Sequence, residues 1–280
     1  MKKRFIIFFL ISFILADSYS FSLGAPGLRI VSLAPSTTEI LFALGAGEEV
    51  VGVSSFCNYP QEASRKEKVG TFSQPNIEKI LSLKPDIIFC TGLEQEPVVR
   101  GLKELNLKVC VSDPSNMEGL FSSILDMGKL ISKEKEAEEL INKMKRGIAE
   151  ITSKSKLIPE QSRPKVFIEI WNEPLMTTGK GSFIDELVTL AGGKNIAYDT
   201  HRPFCYFSAE QVIKRNPDCI ILTYMTSEIP TQAVGKRLGW QKISAVKNKR
   251  IYNDINPDLL LRPGPRLVEG LKELHKRFYP

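Results

Sequence analysis

The chain has 280 residues, 42% hydrophobic and 25% charged, with a formal net charge of +6. It is long enough for two domains of ordinary size and carries none of the compositional bias of a disordered chain. Basic and acidic residues alternate in segments such as SKEKEAEEL, which describes a solvated surface and excludes a nucleic-acid footprint.

The chain starts with MKKR, followed by a twelve-residue apolar stretch, FIIFFLISFILA, at residues 5–16 and then DSYS. This order predicts a secretory signal peptide over residues 1–20, cut after Ser20, and delivery to the periplasm. A retained anchor is the alternative, but twelve residues rise only about 18 Å as a helix, against a hydrocarbon core of roughly 30 Å. The first cysteine is Cys57, so no lipid-anchored cysteine is expected at the mature N-terminus. Loss of Lys2, Lys3, Arg4 and Asp17 with the signal leaves a net charge of +4.

Beyond the leader, RIVSL (residues 29–33) reads as a buried strand and PSTTEILFALGAG as a helix opened by Pro35 and Ser36 and closed by glycines. EEVVGVSS returns as a strand. The alternation continues through NIEKILSLKP, DIIFC, PVVRGLKELN, LKVCVSD and a helix beginning near Met117. Short apolar runs alternating with helical patterns predict a parallel sheet covered by helices. Residues 116–156 form one long helical tract of one or two helices, with apolar positions at Leu130, Ile131, Leu140, Ile141, Met144, Ile148 and Ile151. Pro159 and Pro164 break it. A second alternation follows: KVFIEIW as strand, GSFIDELVTLAGG as helix, SAEQVIKRNP as helix, DCIILTY as strand, and RPGPRLVEGLKELHKRF as a final amphipathic helix.

The expected organisation is an N-terminal α/β lobe at 28–131, an interlobe helix at 132–156 and a C-terminal α/β lobe at 164–280. Five cysteines (Cys57, Cys90, Cys110, Cys205, Cys219) are an odd number, at spacings that match no zinc pattern. Cys90, Cys110 and Cys219 lie in apolar runs and read as small buried hydrophobes.

Two echoes link the lobes. PNIEKILSLKPDIIF (75–89) and FSAEQVIKRNPDCIIL (207–222) each place a glutamate seven residues before Pro-Asp, with Glu210 lying 132 residues after Glu78. TEILFALGAG (38–47) and DELVTLAGG (185–193) form a second pair, 147 residues apart. Both lobes therefore read as built on one template in one internal order. Asn76 and Ser208 sit two positions before the glutamates and are expected to cap helices whose first turns carry Glu78 and Glu210. The helix dipole alone favours glutamate there, without any partner.

In order, RIVSLAPSTTEILFALGAGEEVVGVSSFCNYP, NIEKILSLKPDIIF, TTGKGSFIDELVTLAGGKNIA and SAEQVIKRNPDCIIL resemble the substrate-binding proteins of ABC importers for cobalamin, haem and ferric siderophores. The resemblance covers about residues 28–278 and is strongest to the periplasmic cobalamin-binding proteins. It implies two Rossmann-like α/β lobes with parallel-type sheets joined by a single long rigid helix, the class III arrangement, and a small closing motion. It also implies that Glu78 and Glu210 dock onto arginines of the membrane permease, one carboxylate per lobe.

The positions that match the cobalamin pocket are Phe56, Phe72, Thr91, Met176, Phe204, Asp258 and Arg262. Asp258 and Arg262 are suited to accept from and donate to corrin amides. Tyr59 joins them from the loop SSFCNYP, on the rule that ligand clefts are lined by loops after strand C-termini, as WNEPLMTTGK, HRPFCYF and NPDLLLRPGPR are also expected to be. The sequence departs from the family where Phe56, Phe72 and Phe204 stand for Tyr or Trp and Thr91 stands for Trp.

No G-x-S-x-G elbow, phosphate loop or H-E-x-x-H occurs, and His201 and His275 are the only histidines. The resulting expectation is an exported, monomeric binding protein with no enzymatic activity, cofactor or resident metal. It captures a corrinoid, presents it to an ABC permease and meets the membrane only through that permease. A haem or ferric-siderophore receptor, using Tyr59, Tyr206 or His201, is the near alternative, and a secreted hydrolase the distant one.

Overall fold

The computed structural model describes residues 27–92, 95–224 and 230–280. The expected signal peptide falls on residues 1–26, outside the described residues.

The first sheet comprises β1 (Ile30–Ser32), β2 (Val50–Val53), β3 (Glu67–Lys68), β4 (Ile87–Cys90) and β5 (Val109–Val111), in the order β3-β2-β1-β4-β5. Every pairing is parallel. Its central strands IVS and IIFC are wholly buried, as strands covered by helices on both faces must be. Side chains alternate between the faces: Ile30, Ile87 and Phe89 enter one hydrophobic cluster, while Val31, Ile88 and Cys90 enter another. The helices of this lobe are α1 (Pro35–Ala43), α2 (Gln61–Ser64), α3 (Ile77–Ser82) and α4 (Glu96–Glu104).

The helical tract divides into α5 (Met117–Leu130) and α6 (Glu134–Lys156), with Ser132 at the break in the left-handed region (φ 57°). At 23 residues α6 is about 34 Å long. It carries Ile141, Met144 and Ile151 into a cluster that also holds Ile30 and Phe89 of the first sheet and Val166 and Ile221 of the second. One continuous core therefore passes through α6, which makes it a stiff joint. Two glycines permit the close approach. A Cβ on Gly128 of α5 would stand 2.7 Å from the Ala137 Cβ, and one on Gly147 of α6 would stand 2.5 Å from Val268 Cγ1.

The second half contains β6 (Lys165–Trp171), β7 (Met176–Thr178), α7 (Phe183–Leu190), β8 (Lys194–Asn195), β9 (Phe204–Tyr206), α8 (Ala209–Arg215), β10 (Cys219–Leu222), α9 (Thr231–Gly235), α10 (Ser244–Lys247), β11 (Ile251–Tyr252), α11 (Asp258–Leu261) and α12 (Leu267–Phe278). The sheet order is β11-β10-β6-β7-β9, with β8 also on β6. This sheet is mixed, not wholly parallel as expected: β7 runs antiparallel to both β6 and β9. The link from β6 to β7 is only residues 172–175, whereas a parallel crossover needs a dozen or more. WNEPLMTTGK and HRPFCYF, expected as loops, therefore supply strands at this edge. Thr177 Oγ1 donates to the Ile168 carbonyl at 2.6 Å across the hairpin.

All five cysteines are free thiols. Burial pushes the Cys90 and Cys219 thiols up to about 12, which makes them inert packing groups. No helix among the described residues is long and apolar enough to cross a membrane.

Candidate functional site

The twin motif resolves into two parts with different work. Asn76 Oδ1 accepts from the Lys79 amide at 2.9 Å and Ser208 Oγ accepts from the Gln211 amide at 3.2 Å, so both cap as expected. Glu78 and Glu210 are the second residues of α3 and α8, and both are exposed. The Pro-Asp half of the motif is structural. Asp86 Oδ2 accepts from the Arg29 amide at 2.7 Å and Asp218 Oδ2 from the Lys165 amide at 2.9 Å, while each aspartate's own amide donates back to the same residue's carbonyl. Each aspartate thus staples the start of the central strand of its sheet.

The Glu210 carboxyl is held below the usual carboxylate range by its own backbone amide and then by the Ser208 hydroxyl. With a depressed folded-state value, its stabilising contribution is present at neutral pH and is lost as pH falls through that value. Ser208→Ala removes the second donor and leaves the first. The Glu210 midpoint in an NMR titration is expected to rise toward the ordinary value without reaching it. An unchanged midpoint would show that the hydroxyl does not act on this carboxylate.

The expected pocket residues gather in three groups. In the first, Arg262 bonds Asp258 Oδ1 at 2.9 Å, Asn58 Oδ1 at 2.7 Å, Glu39 Oε1 at 3.3 Å and the Phe56 carbonyl at 3.5 Å. Arg266 grips Glu39 at 2.8 and 2.6 Å and lies 3.9 Å from the Tyr59 ring centroid. This brings together Phe56, Tyr59, Asp258 and Arg262, with the rings of Phe56 (55% exposed) and Tyr59 (44%) still open to solvent. The cluster holds two carboxylates and two guanidinium groups, so it presents no net charge.

In the second group, the buried Gln95 side chain donates to the Leu33 carbonyl at 3.1 Å and to the Phe72 carbonyl at 2.7 Å, and accepts from the Thr91 amide at 2.8 Å. Gln95 thereby sets Phe72 and Thr91 side by side beyond the C-terminal ends of β1 and β4. The third group is the antiparallel edge, where Trp171 pairs with Met176 and Met176 with Tyr206. Phe204 follows two residues before Tyr206 and so shares its face. Phe204 and Tyr206 are 55% and 73% exposed.

Sequence reasoning left out Glu39, Gln95, Arg266 and a further cluster at the C-terminal end of β6. There, fully buried Glu169 accepts from Arg237 at 2.7 and 2.6 Å and from the Tyr224 hydroxyl, and Arg237 also donates to Asn172 at 2.6 Å. One signal was present in KVFIEIW: a charge inside an apolar strand requires a partner. His201 is exposed, and no group of three or more His, Cys, Asp or Glu among the described residues could hold a metal ion.

Paired sheets on a stiff joining helix, with exposed rings at strand ends, describe an architecture suited to binding a ligand. Comparison with known proteins agrees. Residues 30–256 match the model of the periplasmic binding protein family. An uncharacterised ABC transporter substrate-binding lipoprotein of Bacillus subtilis is 38% identical over 257 residues, covering 90% of this chain and 80% of that one. The vitamin B12-binding protein of Salmonella typhimurium is 32% identical over 253 residues, covering 88% of each. The apo structure of the periplasmic heme-binding protein of Roseiflexus sp. RS-1 superposes with a TM-score of 0.80 at 26% identity, covering 91% of this chain and 98% of that one. Each of these is named as a binding protein, the first of them of an ABC transporter. The protein is the extracytoplasmic substrate-binding component of an ABC transporter, and it belongs to the periplasmic binding protein family.

Proposed function

We propose that this protein captures a corrinoid between its lobes, residues 28–131 and 164–280 joined by 132–156, and delivers it to an ABC permease through Glu78 and Glu210. It is exported to the periplasm with residues 1–20 removed, acts as a monomer, and needs no cofactor. The observation that carries the ligand class is the electroneutral cluster beside the open rings of Phe56 and Tyr59. Asp258 keeps 19% of its side chain exposed and offers an acceptor, while its partner Arg262 balances the charge. A macrocycle rimmed by neutral amides suits that environment, with Phe72, Met176 and Phe204 supplying flat or adaptable apolar area and Thr91 a polar edge. An anionic ligand would call for a surplus of positive charge. The similarity to a vitamin B12-binding protein supports the same class.

Haem is the second reading, favoured by exposed Tyr206 and by the heme-binding structural neighbour. Titration with cyanocobalamin, haemin and a ferric siderophore, followed by tryptophan emission, separates the readings. Trp171 is 43% exposed at the end of β6, whereas Trp240 is buried, so Trp171 is the reporter of ligand. Saturable quenching by micromolar cyanocobalamin, weakened at least about tenfold by Asp258→Ala, is the expected result for a partly desolvated hydrogen-bonding group. No response to cyanocobalamin, with saturation by haemin, would replace the corrinoid by haem.

A further inference from the structure

The second internal echo, TEILFALGAG with DELVTLAGG, plays no part in docking, and only its Glu39 has entered the ligand site as described so far. Its register places Glu39 of α1 against Glu186 of α7, 147 residues on. Each of these carboxylates reaches the other half of the molecule. Glu39, only 3% exposed, receives Arg262 and both arms of Arg266 from the segment between α11 and α12. Glu186 Oε2 accepts from the Met117 amide, at the start of α5, at 2.9 Å.

The Glu39 contact is prepared on both sides. Arg262 and Arg266 bracket Pro263-Gly264-Pro265, in which two rings fix φ, so the two guanidinium groups converge on one carboxylate. Gly264 is itself buried, and a Cβ there would lie 3.7 Å from Glu39 Oε2. α11 and α12 pack on α6 and α7, so the segment moves with the second lobe. The four terminal N–H groups of Arg262 are matched by four protein acceptors: Glu39, Asn58, Asp258 and the Phe56 carbonyl. Near the second tie lies a shallow hollow of about 340 Å³ bordered by Asn116, Ser182, Asp185 and Glu186.

We propose that Glu39 and Glu186 are paired interlobe ties, and that Glu39 is in addition the positioning residue that holds Arg262 and Arg266 and through them aims Asp258 and the Phe56–Tyr59 loop at the ligand. The pocket is then preset in the unliganded protein, and the small closing motion follows from the ties as well as from α6. Arg262 acts in this scheme through Asp258, which meets the ligand directly. The aiming role rests on the ligand site proposed above; the tie itself does not.

The test uses the full-length mature protein with spin labels on unnatural residues at exposed Glu104 and Lys247, one in each lobe, and pulsed dipolar distance measurement. Glu39→Gln keeps the shape and removes the charge. Without ligand, its interlobe distance distribution is expected to lengthen and broaden, and Glu186→Ala to do the same, with the double variant exceeding either. For binding, Glu39→Gln leaves a cluster of net charge +1. Cyanocobalamin affinity is expected to fall roughly tenfold or more, as for loss of one partner of a buried ion pair, while the ratio of haemin to cyanocobalamin affinity rises.

A purely structural residue would not move that ratio. Should Glu39→Gln fail to fold, Arg266→Lys decides: it keeps the charge but loses the two-pronged grip and is expected to broaden the distances. Unchanged distances in a folded Glu39→Gln or Arg266→Lys variant would overturn the ties. Changed distances with an unchanged affinity ratio would overturn the positioning role. Failure of the unmodified protein to bind cyanocobalamin would sink the corrinoid reading and leave the distance result standing.

Discussion

Charge reversal at both Glu78 and Glu210 is expected to abolish delivery to the permease while leaving ligand affinity within about twofold, because surface substitutions distant from a site act independently of it. Both residues are exposed at the second position of short capped helices, one in each lobe. A carboxylate on each lobe can engage an arginine on each of two permease subunits, and bidentate contacts give orientation as well as attraction. Arginine at either position replaces an attraction by a like-charge clash, weakening docking by roughly two orders of magnitude per site. Because the sites lie on separate helices the losses should add, so each single reversal is expected to leave measurable uptake and the double reversal none. Uptake of labelled cyanocobalamin into permease-bearing vesicles, beside equilibrium binding of the same ligand, reads both halves of the expectation. Uptake near the unmodified rate in the double variant would reduce the echo to a relic of shared architecture.

How much of this could be read from the sequence depended on the range of the interaction. The central strands were legible because IVS, IIFC and CIIL are continuous apolar runs, and a strand buried on both faces has no other way to be written. The caps at Asn76 and Ser208 were legible because capping is decided within three residues. By contrast, MTT and FCY are too short for any periodicity to register, and their strand character comes from pairing with each other and with β6. Glu39 reads as one more polar residue in a helical segment until Arg262 and Arg266, more than 220 positions away, close on it. Gln95 likewise gains its role only when Leu33 and Phe72 are carried to it by the sheet. The Pro-Asp repeat was visible as a repeat, but its reason, a staple on the amide ahead of a strand, lies 57 residues away in one lobe and 53 in the other.

Glu169→Ala is expected to destabilise the protein by about 3–5 kcal/mol, the range for removing one partner of a buried ion pair. The carboxylate is wholly buried on β6 and satisfies both arms of Arg237 and the hydroxyl of Tyr224. Without it, a guanidinium only 21% exposed keeps its charge with Asn172, Tyr224 and the face of Trp240, 4.5 Å away, as its partners. At roughly 2–4 °C per kcal/mol for a chain of this size, the melting midpoint should fall by at least several degrees. A midpoint within a degree of the unmodified protein would show that the cluster is solvated and weak. The double change Glu169→Leu with Arg237→Met removes the charges together, and most of the lost stability is expected to return, since apolar side chains of similar volume replace buried ion pairs at little cost. Binding should not return with it. Arg237 also holds Asn172, next to Trp171 at the mouth of the hairpin that carries Met176, and an apolar replacement leaves that turn without its anchor. A variant that melts like the unmodified protein yet binds cyanocobalamin several-fold more weakly would show what the buried charges are for: they aim one wall of the cleft, at the expense of a core that could have been wholly apolar.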